Sequence, residues 1–199
     1  MRSLVVKNAI QEERMKGYFV EATKEILKGE GLHAVNVRSI AQKAGYSFAT
    51  IYNYFTDAKD LIFECVKDFL QECDEFIKSE TQEVEHGKEK LKAISKAYIK
   101  YFVQYPATFE LFFIEKPNNL AGKQSTIKMI DEFFERVCMD EWQYLINKKE
   151  IDEATTKLLQ SKLNYTILGM LLLYIHRRQP ATFAEFIKEV DRQLNAILD

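Results

Sequence analysis

Residues that break helices are rare in this chain, and this limits its fold more than any other feature. Only three prolines and seven glycines occur among 199 residues. Apolar residues recur at helical spacing over most of the length, and no stretch alternates as a half-buried strand does. The sequence therefore predicts an all-α protein of about nine helices.

Capping residues, glycines and prolines set the expected bounds of these helices. Pro117 and Gly122 are expected to interrupt the pattern in the middle of the chain. In chain order, the predicted helices cover roughly residues 8–29, 37–44, 48–54, 57–80, 91–105, a short stretch after Pro106, 126–147, 152–177 and 181–198.

Charge and cysteine content narrow the class of protein. The formal net charge of −2 argues against a protein that coats nucleic acid, although residues 1–60 hold nine Lys/Arg against seven Asp/Glu. Three cysteines inside apolar stripes are typical of reduced core thiols. The start of the chain lacks the apolar region of a signal peptide, and the longest apolar run, residues 167–175, is about half of a membrane span. A cytoplasmic protein with no membrane partner is expected.

The segment GYSFATIYNYF, residues 45–55, has unusual side chains for a short helix. Ile51 and Phe55 are spaced to anchor it in a core. The remaining face carries aromatic rings, a hydroxyl and an amide. Such a face is costly to expose without purpose, and it indicates a binding surface.

This segment and the helix before it have the pattern of a helix-turn-helix. Asn36 is predicted to cap the first helix, Gly45 to end it in the left-handed conformation, and Ser47 to cap the second. Ala41 and Ala44 allow the two helices to approach closely. In this motif the N-terminal residues of the second helix meet base edges in the major groove of DNA. The sequence therefore predicts a DNA-binding element.

The stretch GLHAVNVRSIAQKAGYSFATIYNYFTDAKDLI, residues 31–62, resembles the TetR family of bacterial transcriptional regulators. The resemblance implies an N-terminal three-helix DNA-binding domain, residues 1–56, and a larger helical domain, residues 57–199, for ligand binding and dimerisation. It implies a dimeric repressor that leaves a pseudo-palindromic double-stranded operator when it binds a small, mainly apolar effector. The resemblance rests on Ile40-Ala41, Ala44-Gly45, Ser47, Thr50-Ile51-Tyr52, Tyr54-Phe55 and Leu61.

The family pattern also implies roles in DNA binding for individual residues. Thr50 and Tyr52 would contact the DNA backbone, and Asn53 a base or the backbone. Phe48 occupies a variable base-reading position, where its ring would touch a thymine methyl group. The predicted DNA-binding set is Asn36, Arg38, Ser39, Ser47, Phe48, Thr50, Tyr52, Asn53 and Lys59.

Several positions qualify this comparison with the family. Ala58 stands where the family usually has a phosphate-contacting lysine, and Lys59 is offset from it by one residue, or about 100° around a helix. Val35 replaces a frequent threonine. Tyr54 and Phe55 are as compatible with packing against the fourth helix as with contact to DNA.

The larger domain is expected to hold the effector among its aromatic residues. Dense aromatic side chains suit a packed core as well as an apolar pocket, so both interpretations stay open for each residue. The predicted ligand-binding set is Tyr98, Phe102, Phe109, Phe113, Trp142, Tyr165 and His176.

The last two helices are expected to form the dimer interface. The helix over 152–177 is apolar around its circumference from Leu163 to Ile175, so one face needs a neighbour from a second chain. Two such helices from each chain would make a four-helix bundle. The predicted interface set is Leu168, Gly169, Leu172, Phe186, Val190 and Leu194.

Other functional classes fit the sequence less well. His33, His86 and His176 are dispersed, and there is no zinc motif, glycine-rich phosphate loop or nucleophile elbow, so neither catalysis nor a metal or cofactor is predicted. The alternative is an all-helical interaction protein that uses the same fold without regulating a promoter.

Overall fold

The computed structural model describes the backbone of residues 2–115 and 124–199, and the side chains of residues 10–115 and 125–199. All regular structure within these residues is helical, which confirms the predicted fold class. Pro117 and Gly122, the predicted interruptions, lie outside the described residues.

Ten α-helices occur in the described part of the chain. A short 3₁₀ turn, Leu32–Ala34, follows the first, and a π-helical turn, Glu110–Ile114, follows the sixth. The helices are α1 (Arg2–Glu30), α2 (Val37–Ala44), α3 (Phe48–Ile51), α4 (Ala58–Thr81), α5 (Lys88–Gln104), α6 (Pro106–Phe109), α7 (Gln124–Asp131), α8 (Phe133–Asn147), α9 (Glu153–Arg177) and α10 (Phe183–Leu198).

Two predicted helices differ from the structure. The expected helix 126–147 is interrupted at Glu132, which divides it into α7 and α8. The expected helix 48–54 ends at Ile51, because the backbone N–H groups of Asn53 and Tyr54 bond to carbonyls three residues back, at Thr50 and Ile51. Such bonds tighten the last residues into a turn.

The chain divides into two compact units, and the division falls inside α4. Residues 1–70 and 107–130 make the first unit, and residues 71–106 and 131–199 the second. The proposed boundary between residues 56 and 57 stays a prediction.

The core of the first unit joins α1, α2, α3 and the start of α4. Phe19 from α1 is fully buried, and its ring lies 6.5 Å from that of Phe55 in an edge-to-face arrangement. Ile40 from α2 and Ile51 from α3 are also fully buried in this cluster, as the sequence predicts. Burying such side chains contributes about 1.5–3 kcal/mol each. They hold α2 and α3 against α1.

The second unit is a bundle of α5, α8, α9 and α10 with the end of α4. Tyr98 of α5 is buried, with its ring 4.7 Å from that of Phe134 on α8. Tyr174 of α9 stacks on Phe186 of α10, with ring centroids 4.1 Å apart and an interplanar angle of 9°. Aromatic burial therefore supplies much of the bundle core.

Helix α9 is the most apolar long helix of the described residues. It is long and apolar enough to cross a membrane by length and composition alone. A single helix of this kind is weak evidence for a membrane span, because the core helices of soluble proteins have the same composition.

Candidate nucleic-acid interface and effector cavity

Helix α2 is capped at both ends by hydrogen bonds with flanking residues. Asn36 Oδ1 accepts hydrogen bonds from the backbone N–H groups of Arg38 and Ser39, and Ser39 Oγ accepts from the N–H of Asn36. At the other end Gly45 has φ +76°, a left-handed conformation that favours glycine. The N–H of Tyr46 then bonds to the carbonyl of Ala41, which completes a Schellman motif. The tight turn thus has a definite geometry.

Helix α3 begins after Ser47, whose side chain caps the helix. The same side chain contacts Thr50, which is predicted to bind a DNA phosphate. Ser47 Oγ accepts the N–H of Thr50 at 3.3 Å and lies 2.9 Å from Thr50 Oγ1. The two hydroxyl groups therefore orient each other at the N-terminus of the helix. Hydroxyl groups such as these are common hydrogen-bond donors to DNA phosphates.

The outward side of α3 carries large exposed groups. Phe48 and Tyr52 are each 56% exposed, and Asn53 is exposed as well. An aromatic ring of this size in water is unfavourable unless a partner covers it. Tyr54 is half-buried and Phe55 is buried against the core, so Phe55 has a packing role.

The nine predicted DNA-binding residues fall into two groups. The side-chain oxygens of Asn36, Ser39 and Ser47 already cap helices. The second group is exposed to solvent and consists of Arg38, Phe48, Tyr52, Asn53 and Lys59. Thr50 is half-exposed and belongs to neither group.

A cavity of about 360 Å³ lies in the second unit, between α8 and α9. Its volume is at the lower end of the range for small-molecule sites, roughly 300–1,000 Å³. One part of the wall is apolar, with Phe134, Cys138 and Trp142 from α8. The rest of the lining consists of Asp131, Glu135, Lys157, Gln160, Ser161, Leu163, Asn164 and Tyr165. The site is amphipathic.

Two of the seven predicted ligand residues line this cavity, namely Trp142 and Tyr165. Tyr98 and Phe102 belong to the packed core of the bundle, with rings 4.8 Å apart. The other three lie elsewhere: Phe109 and Phe113 pack on each other at 5.3 Å in the first unit, and His176 is exposed near the end of α9.

The sequence prediction missed the polar wall of the cavity. Gln160, Ser161 and Asn164 lie just before the apolar stretch of α9 that runs to Ile175, and that change in polarity was the available signal. Asn164 lies four residues after Gln160 and three after Ser161, and residues at these spacings are neighbours on a helix, so the three side chains form one polar strip.

The predicted dimer interface needs a correction in α10. Phe186, Val190 and Leu194 are at most 1% exposed within the single chain, because they already pack into the bundle core. They have no free surface to offer a second chain. The other three predicted residues lie on α9, where Gly169 and Leu172 are exposed and Leu168 is half-buried.

The exposed side of α9 follows a regular stripe. Leu158 and Tyr165 are 55% and 75% exposed, Leu172 and Leu173 are 43% and 47% exposed, and Gly169 lies among them. The positions 158, 165 and 172 are seven residues apart. This is the spacing of a helix that pairs with another helix.

Residues 19–65 match the model of the bacterial regulatory proteins of the tetR family. This match covers the core of the first unit, both helices of the helix-turn-helix and the start of α4. Over this segment, about a quarter of its length, the chain is similar to the tetR family.

A curated relative and two solved structures resemble the chain. The curated relative is the fatty acid metabolism regulator protein of Bacillus subtilis (strain 168), which is 29% identical over 75 residues, or 38% of this chain and 39% of the relative. The aligned part thus spans about two fifths of the relative. The FadR regulator of Bacillus subtilis in complex with stearoyl-CoA has a TM-score of 0.71 at 18% identity, covering 92% of this chain and 97% of its own.

The second solved structure is that of the superantigen PfiT, with a TM-score of 0.73 at 12% identity and coverage of 92% and 96%. Identities this low establish a common fold and nothing more. Because a superantigen and a regulator share the fold, fold alone does not define function here. The tetR-family segment at residues 19–65 supplies the more specific information.

Proposed function

We propose that this protein is a cytoplasmic, dimeric transcription regulator that binds a double-stranded operator through α2 and α3. The observation that carries the proposal is α3 itself. It begins at a well-formed turn, presents Phe48, Tyr52 and Asn53 to solvent, and lies inside the tetR-family segment. Second helices of this motif enter the major groove of DNA.

Each exposed group has a chemical role in this proposal. The hydroxyls of Thr50, within α3, and of Tyr52, directly after it, donate to phosphates. Asn53 reads an adenine edge, and the Phe48 ring contacts a thymine methyl. Arg38, on α2, supplies positive charge to the backbone.

The dimer forms through the exposed stripe of α9. Leu158, Tyr165 and Leu172 of one chain pack against the same residues of a second chain, with Gly169 near the centre, where its lack of a side chain allows close approach. A two-fold arrangement suits a pseudo-palindrome, because two recognition helices about 34–36 Å apart meet successive turns of the major groove.

The effector is proposed to be a fatty acyl compound that releases the operator. The curated relative is a fatty acid metabolism regulator, and the similar FadR structure contains stearoyl-CoA. The cavity between α8 and α9 offers an apolar wall to an acyl chain and a polar strip to its head group. Helix α4 runs through both units, so it is the proposed link between effector and DNA binding.

The test is binding of purified protein to labelled DNA from upstream of its own gene, with excess competitor DNA. Wild type is compared with a Thr50→Ala/Tyr52→Ala variant. The control is Met139→Ala/Gln143→Ala, which removes two exposed side chains of α8. We expect tight, competitor-resistant binding by wild type and control, and its loss in the α3 variant. Equal binding by all three proteins would contradict the proposed interface. If the wild type binds its upstream DNA no better than it binds competitor DNA, the protein does not regulate its own gene, and operators would then be selected from random DNA.

A further inference from the structure

Two exposed tyrosines lie next to the helix-turn-helix but outside its recognition helix. Tyr18 on α1 is 55% exposed, and Tyr46, in the turn before α3, is 39% exposed. Their rings are nearly parallel, with centroids 6.3 Å apart and an interplanar angle of 27°. The ring of Tyr46 packs on the buried ring of Phe19 in an edge-to-face arrangement, with centroids 5.5 Å apart. The core residue Phe19 therefore positions Tyr46, and Tyr46 lies beside Tyr18.

The surroundings of this pair favour an anionic partner. Glu25, two helical turns beyond Tyr18, forms an ion pair with Lys43 at 2.9 Å, and Glu21, one turn beyond, shares Lys24 with Asp68 at 3.2 Å and 3.4 Å. One turn before Tyr18 lies Arg14, which is exposed. Among side chains of residues 10–115 and 125–199, Arg14 makes no hydrogen bond or ion pair. Residues four apart on a helix are neighbours, so this guanidinium adjoins Tyr18.

The position of the pair selects the partner. Tyr46 directly precedes Ser47, the cap of α3, so it is continuous with the surface proposed to face DNA. Phenolic hydroxyls and guanidinium groups are common donors to phosphate, and neither requires a particular base. Because the pair adjoins the surface proposed to face DNA and Arg14 makes no ion pair within the described side chains, the DNA backbone is the partner that this position favours.

We infer that Arg14, Tyr18 and Tyr46 form a second DNA contact, in which α1 and the turn bind phosphates of the operator backbone adjacent to the groove entered by α3. This inference rests on the proposed function. It assigns α1 a direct role in DNA binding and extends the footprint of each monomer beyond its recognition helix. The contact adds affinity and orientation without adding sequence preference.

The experiment compares wild type with Tyr18→Phe/Tyr46→Phe on an operator selected from random DNA by the wild type. The phenylalanines keep the stacked rings, so the fold is preserved, and only two hydroxyl groups are lost. We expect binding to weaken roughly tenfold, as loss of hydrogen bonds to a charged acceptor predicts. The matched control, Tyr144→Phe on α8, should bind as wild type does. Thermal melting by circular dichroism should be the same for all three proteins.

Two further readouts identify the acceptor as phosphate. Ethylation interference should show one or more contacted phosphates in wild type that the double variant loses, with unchanged sequence preference. The salt dependence of binding should be unchanged by the neutral tyrosine changes, whereas Arg14→Ala should reduce the slope by roughly 0.9.

Unchanged affinity and an unchanged phosphate pattern in the double variant would overturn the inference, and so would an altered base preference. Wild-type protein that binds no DNA at all would overturn the proposed function and this contact together. Normal recognition by wild type with no effect of the tyrosine changes would overturn the contact alone.

Discussion

The backbone N–H of Gly87 donates a hydrogen bond of 2.8 Å to Glu141 Oε2, although the two residues are 54 positions apart. Gly87 caps the start of α5 with a φ of +102°, and Glu141 is a buried residue of α8. The carboxylate therefore sits at the positive end of the α5 dipole. It also lies 2.9 Å from Nδ1 of His86. This contact fastens the loop between α4 and α5 to the bundle.

Removal of this carboxylate should destabilise the protein. Glu141→Ala leaves a buried N–H without its partner, and we expect the free energy of unfolding to fall by about 2–3 kcal/mol. Glu141→Gln retains an acceptor and should cost about half as much. Urea denaturation followed by circular dichroism measures both. The exposed neighbour Asp140 provides the control, since Asp140→Ala should change stability by less than about 0.5 kcal/mol.

The lysine at the start of α4 should contact a phosphate even though it is displaced by one residue from the usual family position. Lys59 is exposed, whereas Ala58 is half-buried against the core. We expect Lys59→Ala to weaken operator binding and to reduce the salt slope by roughly 0.9. Fluorescence anisotropy at four salt concentrations measures this. A slope identical to that of wild type would show that Lys59 does not replace the missing lysine.

A charge on the exposed stripe of α9 should prevent dimerisation. Leu172→Asp would bury a carboxylate at each copy of the proposed interface, and an unpaired buried charge is strongly unfavourable. We expect a monomer in analytical ultracentrifugation and a large loss of operator affinity. Met139→Asp alters an even more exposed apolar residue, on α8, and should leave the dimer intact. A dimeric Leu172→Asp protein would place the interface elsewhere.

Fatty acyl thioesters should release the operator, and filling the cavity should prevent the release. Asn164 lines the polar strip, so Asn164→Trp would occupy much of the 360 Å³ between α8 and α9. We expect stearoyl-CoA to dissociate the wild-type complex and to have little effect on this variant, which should still bind DNA. Coenzyme A alone is the control for the head group. Release of both proteins by stearoyl-CoA would show that the effector binds at another site.

The three cysteines should be unreactive in the folded protein. Burial raises the pKa of Cys65, Cys73 and Cys138 well above the usual thiol range. Few thiolates therefore exist at pH 8, and iodoacetamide should label the native chain at none of these sites but the urea-unfolded chain at all three. The folded state keeps these protons to a higher pH than the unfolded state does. Stability should thus decline as pH rises through the normal thiol pKa. Detection of a labelled thiol in the native protein by mass spectrometry would contradict this prediction.

Local chemistry in the sequence was sufficient to predict the helix-turn-helix. Asn36 and Ser47 cap helices, and Gly45 adopts a left-handed φ. These roles involve only neighbouring residues, so they can be inferred without tertiary structure. The burial of Ile40 and Ile51 also followed from helical spacing. The all-α class followed from the scarcity of glycine and proline.

Only the tertiary structure decided which apolar faces meet each other. Leu172 and Leu194 are equally apolar in sequence, yet the first is exposed and the second is covered by the bundle. The stacked pair of Tyr18 and Tyr46 and the contact of Glu141 with Gly87 join residues far apart in the chain. Hydrophobic burial has no direction, so a pattern of apolar residues specifies that a face is covered but not what covers it. Which faces meet depends on how the helices pack. This packing forms the cavity, leaves the stripe of α9 exposed and creates the surface beside α3.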